Sequence, residues 1–149
     1  GVPLAARDDD VRARLASGRV PAAGQLADVW EQSLAASAWS GPKVWLHGDL
    51  HPANLLLAAS GSLTAVVDFG DVTAGDPATD LATAWLTFDA DARRIFREEI
   101  AKRRGLDEAT WDRARGWALV MGSAVVAQAG TSSAFGRMGA FALEQVLSD

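Results

Sequence analysis

The sequence predicts a mostly helical α+β fold with one small β-hairpin near its middle. Three observations predict it. Alanine-rich stretches with apolar residues at helical spacing fill both ends of the 149-residue chain. Three short β-type runs, "KVWL", "NLLLAA" and "LTAVVDF", sit together between them. The turn "SGS" joins the last two runs into a hairpin. No repeat or low-complexity linker divides the chain, so residues 1–149 read as one domain.

Leu4 to Ser17 reads as a helix stopped by Gly18. Ala22 to Trp39 reads as a second, with Leu26, Val29, Trp30 and Leu34 at helical spacing and "SGP" breaking it. The three strands follow, then a loop rich in Gly and Asp from Phe69 to Asp76. From Pro77 the pattern is helical to the end. Asp76 reads as an N-cap with proline at the first helical position. Asp89 caps the next helix, which closes on "KRRG", with cations at its negative pole and Gly105 as terminator. Asp107 opens another, with Leu106 placed to staple against Trp111. A last helix spans about Ser133 to Leu147, with Phe135, Met138, Ala142 and Val146 on its expected buried face. Most of the six tryptophans read as core or interface; Trp85 and Phe88, one turn apart, are additional candidates for part of a substrate-pocket wall.

Composition narrows the function. A hydrophobic share of 49% with 22% charged residues suits a folded domain. The net charge of −5 gives no electrostatic support for nucleic-acid binding, while an acidic surface suits a cationic small partner. The absence of cysteine removes disulfides and thiolate metal sites, and fits a cytoplasmic, reducing compartment. No apolar run reaches the ~20 residues of a membrane span. "WALVMGSAVVAQAG" is short and follows arginines, so it reads as a buried helix.

The chemistry concentrates in "HGDLHPANLLL", which holds both histidines of the chain, His47 and His51. Asp49 follows a strand, Asn54 begins the next, and Asp68 ends the second strand of the hairpin. The start and end of a hairpin share its open end, so Asp49, Asn54 and Asp68 converge. Two carboxylates and an amide oxygen make a hard-oxygen site that suits Mg²⁺. A third carboxylate is redundant for the metal, which frees Asp49 to face a substrate hydroxyl.

"HGDLHPAN", then "VVDFGD", then "GDPATDLA" resembles the aminoglycoside phosphotransferase family, relatives of the protein kinases, closely over Val44 to about Ala84. The resemblance implies the C-terminal lobe of a protein-kinase-like fold, with the metal site on the hairpin. It implies an ATP- and Mg²⁺-dependent O-phosphotransferase for a small hydroxylated molecule: an aminoglycoside, or choline, homoserine, a macrolide or a sugar-amine adduct. Asp49 takes the position of the catalytic aspartate; Asn54 and Asp68 take those of the magnesium ligands. His47 matches a packing residue of the loop. His51 stands where protein kinases carry a lysine on the transferred phosphate. Leu56 and Val67 match the apolar floor under the adenine. Asp76 and Asp80 read as structural, one a cap and the other a buttress of the loop, with an acidic pocket for an amine-rich substrate as the other reading.

Two further readings belong to other classes. One is a non-catalytic small-molecule-binding protein on the same fold, against which a complete Asp49, Asn54 and Asp68 set speaks. The other is a metal-dependent hydrolase on the alternating His47, Asp49 and His51; Gly48 and Pro52 interrupt the strand it needs, and no further histidine completes it. The family's N-terminal lobe supplies a phosphate-covering loop and a strand lysine, and neither is found. The only lysines are Lys43, just before the first strand, and Lys102, in a basic helix terminus. The chain also begins at Gly1. The expectation is therefore a lobe lacking half of its nucleotide site, with negligible activity and weak Mg-ATP binding alone, and with an uncovered apolar face prone to self-association.

Overall fold

A computed structural model describes residues 1–149, and its helices surround one long central helix. A 3-10 turn (Leu4–Arg7) leads into α1 (Asp8–Ala16), and α2 (Ala23–Ala35) follows. The middle of the chain carries β1 (Val44–Leu46), β2 (Leu55–Leu57), β3 (Leu63–Val66) and β4 (Thr73–Gly75). Then come the short helices α3 (Ala78–Leu81) and α4 (Thr83–Thr87), followed by α5 (Ala90–Ala101), α6 (Glu108–Ala129) and α7 (Ala134–Leu147). The expected mostly helical α+β class holds, with 60% helix and two small sheets.

The expected hairpin is β2–β3, antiparallel, with Leu55 opposite Val66 and Leu56 opposite Ala65. The segment read as a loop from Phe69 to Asp76 is not all loop. Its Thr73–Gly75 stretch pairs antiparallel with β1, Leu46 opposite Thr73 and Val44 opposite Gly75. "TAG" has little strand character of its own. It becomes a strand because the edge of β1 needs partners for its backbone groups.

Two helix boundaries also move. The first predicted helix starts as a 3-10 turn and becomes α-helical only at Asp8. The second stops at Ala35, and Ala36 is extended; the Ser37 carbonyl accepts from the Arg113 guanidinium instead of closing another helical turn. The caps at Asp89 and Asp107 are as read, and Ser133 caps the last helix in the same way, each side chain accepting a backbone N–H from the first turn.

α6 packs against α1, α2, α3, α4 and α7. It contributes Trp111, Ala114, Trp117, Ala118, Leu119, Val120 and Val126 to a single core that also takes Leu26, Val29 and Trp30 from α2 and Trp85 and Leu86 from α4. Its closest neighbour is α7, and glycine sets that spacing: a Cβ at Gly139 would lie 2.8 Å from Val125 Cγ1 and 3.0 Å from the Gly122 carbonyl. The buried face of α7 is therefore Gly136, Gly139, Ala142, Leu143 and Val146. Phe135 and Met138, expected on that face, instead line a cleft. Trp85 is 1% exposed in the core, as most of the tryptophans read, and does not line the cleft; Phe88 packs on Phe96. No helix is long and apolar enough to cross a membrane.

Candidate active site

β1 delivers the chain into the histidine loop, and α3 holds that loop from behind. The Asp80 carboxylate accepts the backbone N–H of His47 at 2.7 Å and that of Gly48 at 2.9 Å. One side chain thus satisfies two donors that β1 leaves unpaired. Gly48 is required here: its φ is +89°, and a Cβ would collide with the Asp71 carbonyl.

His47 ties the loop to the hairpin. Its Nδ1 accepts from the Asp49 N–H at 3.3 Å, which leaves Nε2 protonated to donate to the Val67 carbonyl at 2.8 Å. The ring is 8% exposed and packs on Phe69 at 4.8 Å. A 3-10 turn, Pro52–Asn54, follows and places Asn54 beside Asp49. The Asn54 amide donates to the Asp49 carbonyl at 2.8 Å and to its Oδ2 at 3.4 Å, and the Asn54 carbonyl accepts from Val67 N–H at 3.0 Å. Asn54 thus sits in that turn, one residue ahead of β2.

Asp49 has a second neighbour. Nε2 of His51 lies 3.2 Å from Oδ2 of Asp49, and the His51 ring meets Phe135 edge-on at 5.8 Å. Asp49 and His51 both line a cleft of about 720 Å³ floored by α6 and α7, a volume ordinary for a small-molecule site. α1 and the turn before it bring Arg7, Asp10 and Arg14 to the same cleft. Nothing in the loop motif points to these three. Their spacing of three and four residues places them on one helical face, the signal that could have found them.

Asp68 follows Val67 directly and sits in the left-handed region, φ 63°. Its exposed carboxylate makes no hydrogen bond or ion pair, and Asn54 spends its amide nitrogen on Asp49, which leaves Oδ1 unengaged. Each of these oxygens is donor chemistry suited to a hard cation such as Mg²⁺ that keeps several waters. No three His, Cys, Asp or Glu side chains come close enough to hold a metal ion. The structure thus joins Asp49, His51 and Asn54 by direct side-chain contacts, and His47, Val67 and Asp80 by bonds to the loop; Asp68 is linked to them through the backbone.

The remaining candidates lie apart. Leu56 is 49% exposed on the hairpin, where it shares a face with Ala65 and Val67 across the strand pair. Asp76, read as the N-cap, stands one residue before it, since Pro77 is the cap of α3; its carboxylate accepts Ala78 N–H at 3.0 Å and pairs with buried Arg113, Nε to Oδ2 at 2.7 Å. It anchors α6 to the start of α3 and does not reach the cleft.

A family model described as a phosphotransferase enzyme family matches residues 2–117. No curated protein matches the chain. No solved structure matches it.

Proposed function

The chain belongs to the phosphotransferase enzyme family, and from that premise we propose that it moves the terminal phosphoryl group of ATP to a hydroxyl of a small molecule, with Asp49 as the base. The observation that carries this reading is the position of Asp49: its carboxylate borders the cleft on one side and touches Asn54 on the other. A hydroxyl bound in the cleft meets Asp49, which orients it and takes its proton as the oxygen attacks phosphorus and the bond to the departing ADP breaks. Two charged or polar neighbours hold Asp49 in place, His51 and Asn54, while Asp80 fixes the backbone it hangs from.

Mg²⁺ belongs to Asn54 and Asp68 in this reading, and supplies charge neutralisation for the phosphates. The adenine belongs against the exposed apolar face that includes Leu56 and Val67. Leu57 and Leu63, 62% and 59% exposed, widen the hairpin's apolar surface. A second lobe, bringing a phosphate-covering loop and a lysine, is the proposed cover for it. Without that lobe this chain is a C-terminal catalytic lobe of a kinase-like fold, with weak nucleotide binding and negligible turnover, and its apolar hairpin favours self-association.

The test is phosphoryl transfer from ATP to a panel of amino-sugars, sugars, sugar acids and small alcohols, with the chain joined to its second lobe. Asp49→Ala should lower turnover by about 10²-fold or more with the fold intact by circular dichroism. Wild-type turnover in that variant would remove Asp49 from the role of base.

A further inference from the structure

Three of the four buried polar side-chain atoms that lack a hydrogen-bond partner belong to residues lining one cleft: Nε of Arg7, Nε1 of Trp117 and Nδ1 of His51. Folded proteins leave few such atoms, and at a cavity their partners come from water or a ligand. Trp117 is 5% exposed and His51 9%, so both are built into the wall and are not loose surface groups.

The cations of this cleft differ from the two buried arginines. Arg93 and Arg113 each hold a carboxylate, Asp149 and Asp76. Arg7 makes no hydrogen bond or ion pair and lies 5.9 Å from the Trp117 ring centroid. Arg14 spends its guanidinium on two backbone carbonyls, Asp10 at 2.9 Å and Val120 at 3.0 Å. Burial pushes the Arg14 guanidinium down; the charge of Asp10 pulls it up, and that of Arg7 adds to the downward push, which sets the two guanidiniums within each other's field. Asp10 is the single carboxylate on their helix face, while Asp49 and Asp71 enter from the loop side. A guanidinium without a partner, backed by a second one, is a receptor for a planar or tetrahedral oxyanion. An amine-rich molecule would bring further positive charge to the same place.

We propose that this cleft takes a small hydroxylated molecule bearing an oxyanion, a carboxylate or a phosphate ester, held by Arg7 with Arg14 beside it and contacted by Trp117 Nε1–H. That the hydroxyl end faces Asp49 rests on the phosphotransfer reading; the anion site itself does not.

Calorimetric titration of the purified chain separates the two. The probes share one pyranose scaffold: glucuronate, glucose 6-phosphate, glucose and glucosamine. One of the two anions should bind about tenfold tighter than glucose or glucosamine, and which one distinguishes carboxylate from phosphate. Arg7→Gln should erase that preference, Trp117→Phe should weaken anion binding several-fold, and Arg94→Gln, on the exposed face of α5, should leave it unchanged. Glucosamine binding tightest, no anion binding at millimolar concentration, or an undiminished preference in both Arg7→Gln and Trp117→Phe would overturn the proposal. Anion binding without phosphoryl transfer by the two-lobed protein would sink the phosphotransfer reading alone, and transfer to amine-bearing acceptors only would sink the anion site alone.

Discussion

Nε2 of His51 lies 3.2 Å from Oδ2 of Asp49, the same oxygen that Asn54 Nδ2 approaches at 3.4 Å. The carboxylate is thus held on one edge by two donors, and its other oxygen stays available. By resemblance His51 stands where a lysine touches phosphate; under the proposed mechanism its contact with Asp49 would make it a positioning residue for the base. His51→Ala should lower kcat by about 10- to 100-fold, the cost of a misplaced catalytic group, with little change in KM for ATP. His51→Gln keeps a donor and should recover part of the loss. Steady-state kinetics decide the matter: a raised KM for ATP at unchanged kcat would return His51 to the phosphate.

Asp80 is the hinge-pin of the loop. Removing its carboxylate leaves the N–H groups of His47 and Gly48 without acceptors. Asp80→Ala should cost roughly 2–4 kcal/mol, two hydrogen bonds to a charged acceptor. Urea unfolding measures it, and Asp80→Asn, which keeps one acceptor oxygen, should lose less.

The motif made the loop legible, because each residue in it has a local job that its type announces: Gly48 for a positive φ, Asn54 for a side-chain bond back to Asp49, Asp80 for two free N–H groups. The caps at Asp89 and Asp107 were legible from residue type alone. What stayed hidden was decided at long range. β4 is a strand only because β1 lies beside it. Arg93 and Arg113 look like solvated helix charges until Asp149 and Asp76 are placed against them. Phe135 and Met138 look like core until Gly122 and Gly139 pull α6 and α7 together and rotate them toward the cleft. Arg7 and Arg14 share a helical face, but spacing alone does not say which face borders a cavity.

The Asp76–Arg113 pair follows from this long-range placement. Arg113 is 5% exposed, and Asp76 supplies its carboxylate partner, with Ser37 and Thr110 completing its bonds. Asp76→Ala strands a buried cation and should cost roughly 3–5 kcal/mol. Asp76→Ala combined with Arg113→Met should be less destabilised than Asp76→Ala alone, because the orphaned charge is gone. Chemical denaturation of the two variants tests it, and equal stability of Asp76→Ala and wild type would show the pair to be superfluous.

Gly48→Ala combines two penalties. A left-handed φ costs a residue with a Cβ about 1–2 kcal/mol, and here the Cβ also meets the Asp71 carbonyl. The loop must shift to accept it, and Asp49 shifts with it. The expected outcome is a loss of thermal stability together with a fall in turnover larger than stability alone explains. Retention of wild-type turnover at a temperature well below unfolding would show that the loop tolerates the shift.

Asp107 predicts how the fold meets acid. Its carboxylate accepts the Thr110 hydroxyl at 2.6 Å and the Thr110 N–H at 2.9 Å, capping α6. The hydroxyl bond first, and the backbone bond after it, hold its pKa below the ordinary value of 3.8. A depressed carboxylate pKa means that the folded state prefers the charged form. The contribution is complete above 3.8 and is lost as pH falls through the lower folded-state value. Asp107→Asn keeps an acceptor oxygen without the charge, so it should lower the unfolding midpoint at neutral pH. The gap between variant and wild type should then shrink as the pH drops below 3.8. A gap that stays constant down to the acid limit would mean that Asp107 caps the helix through its oxygen alone, without a gain from ionisation.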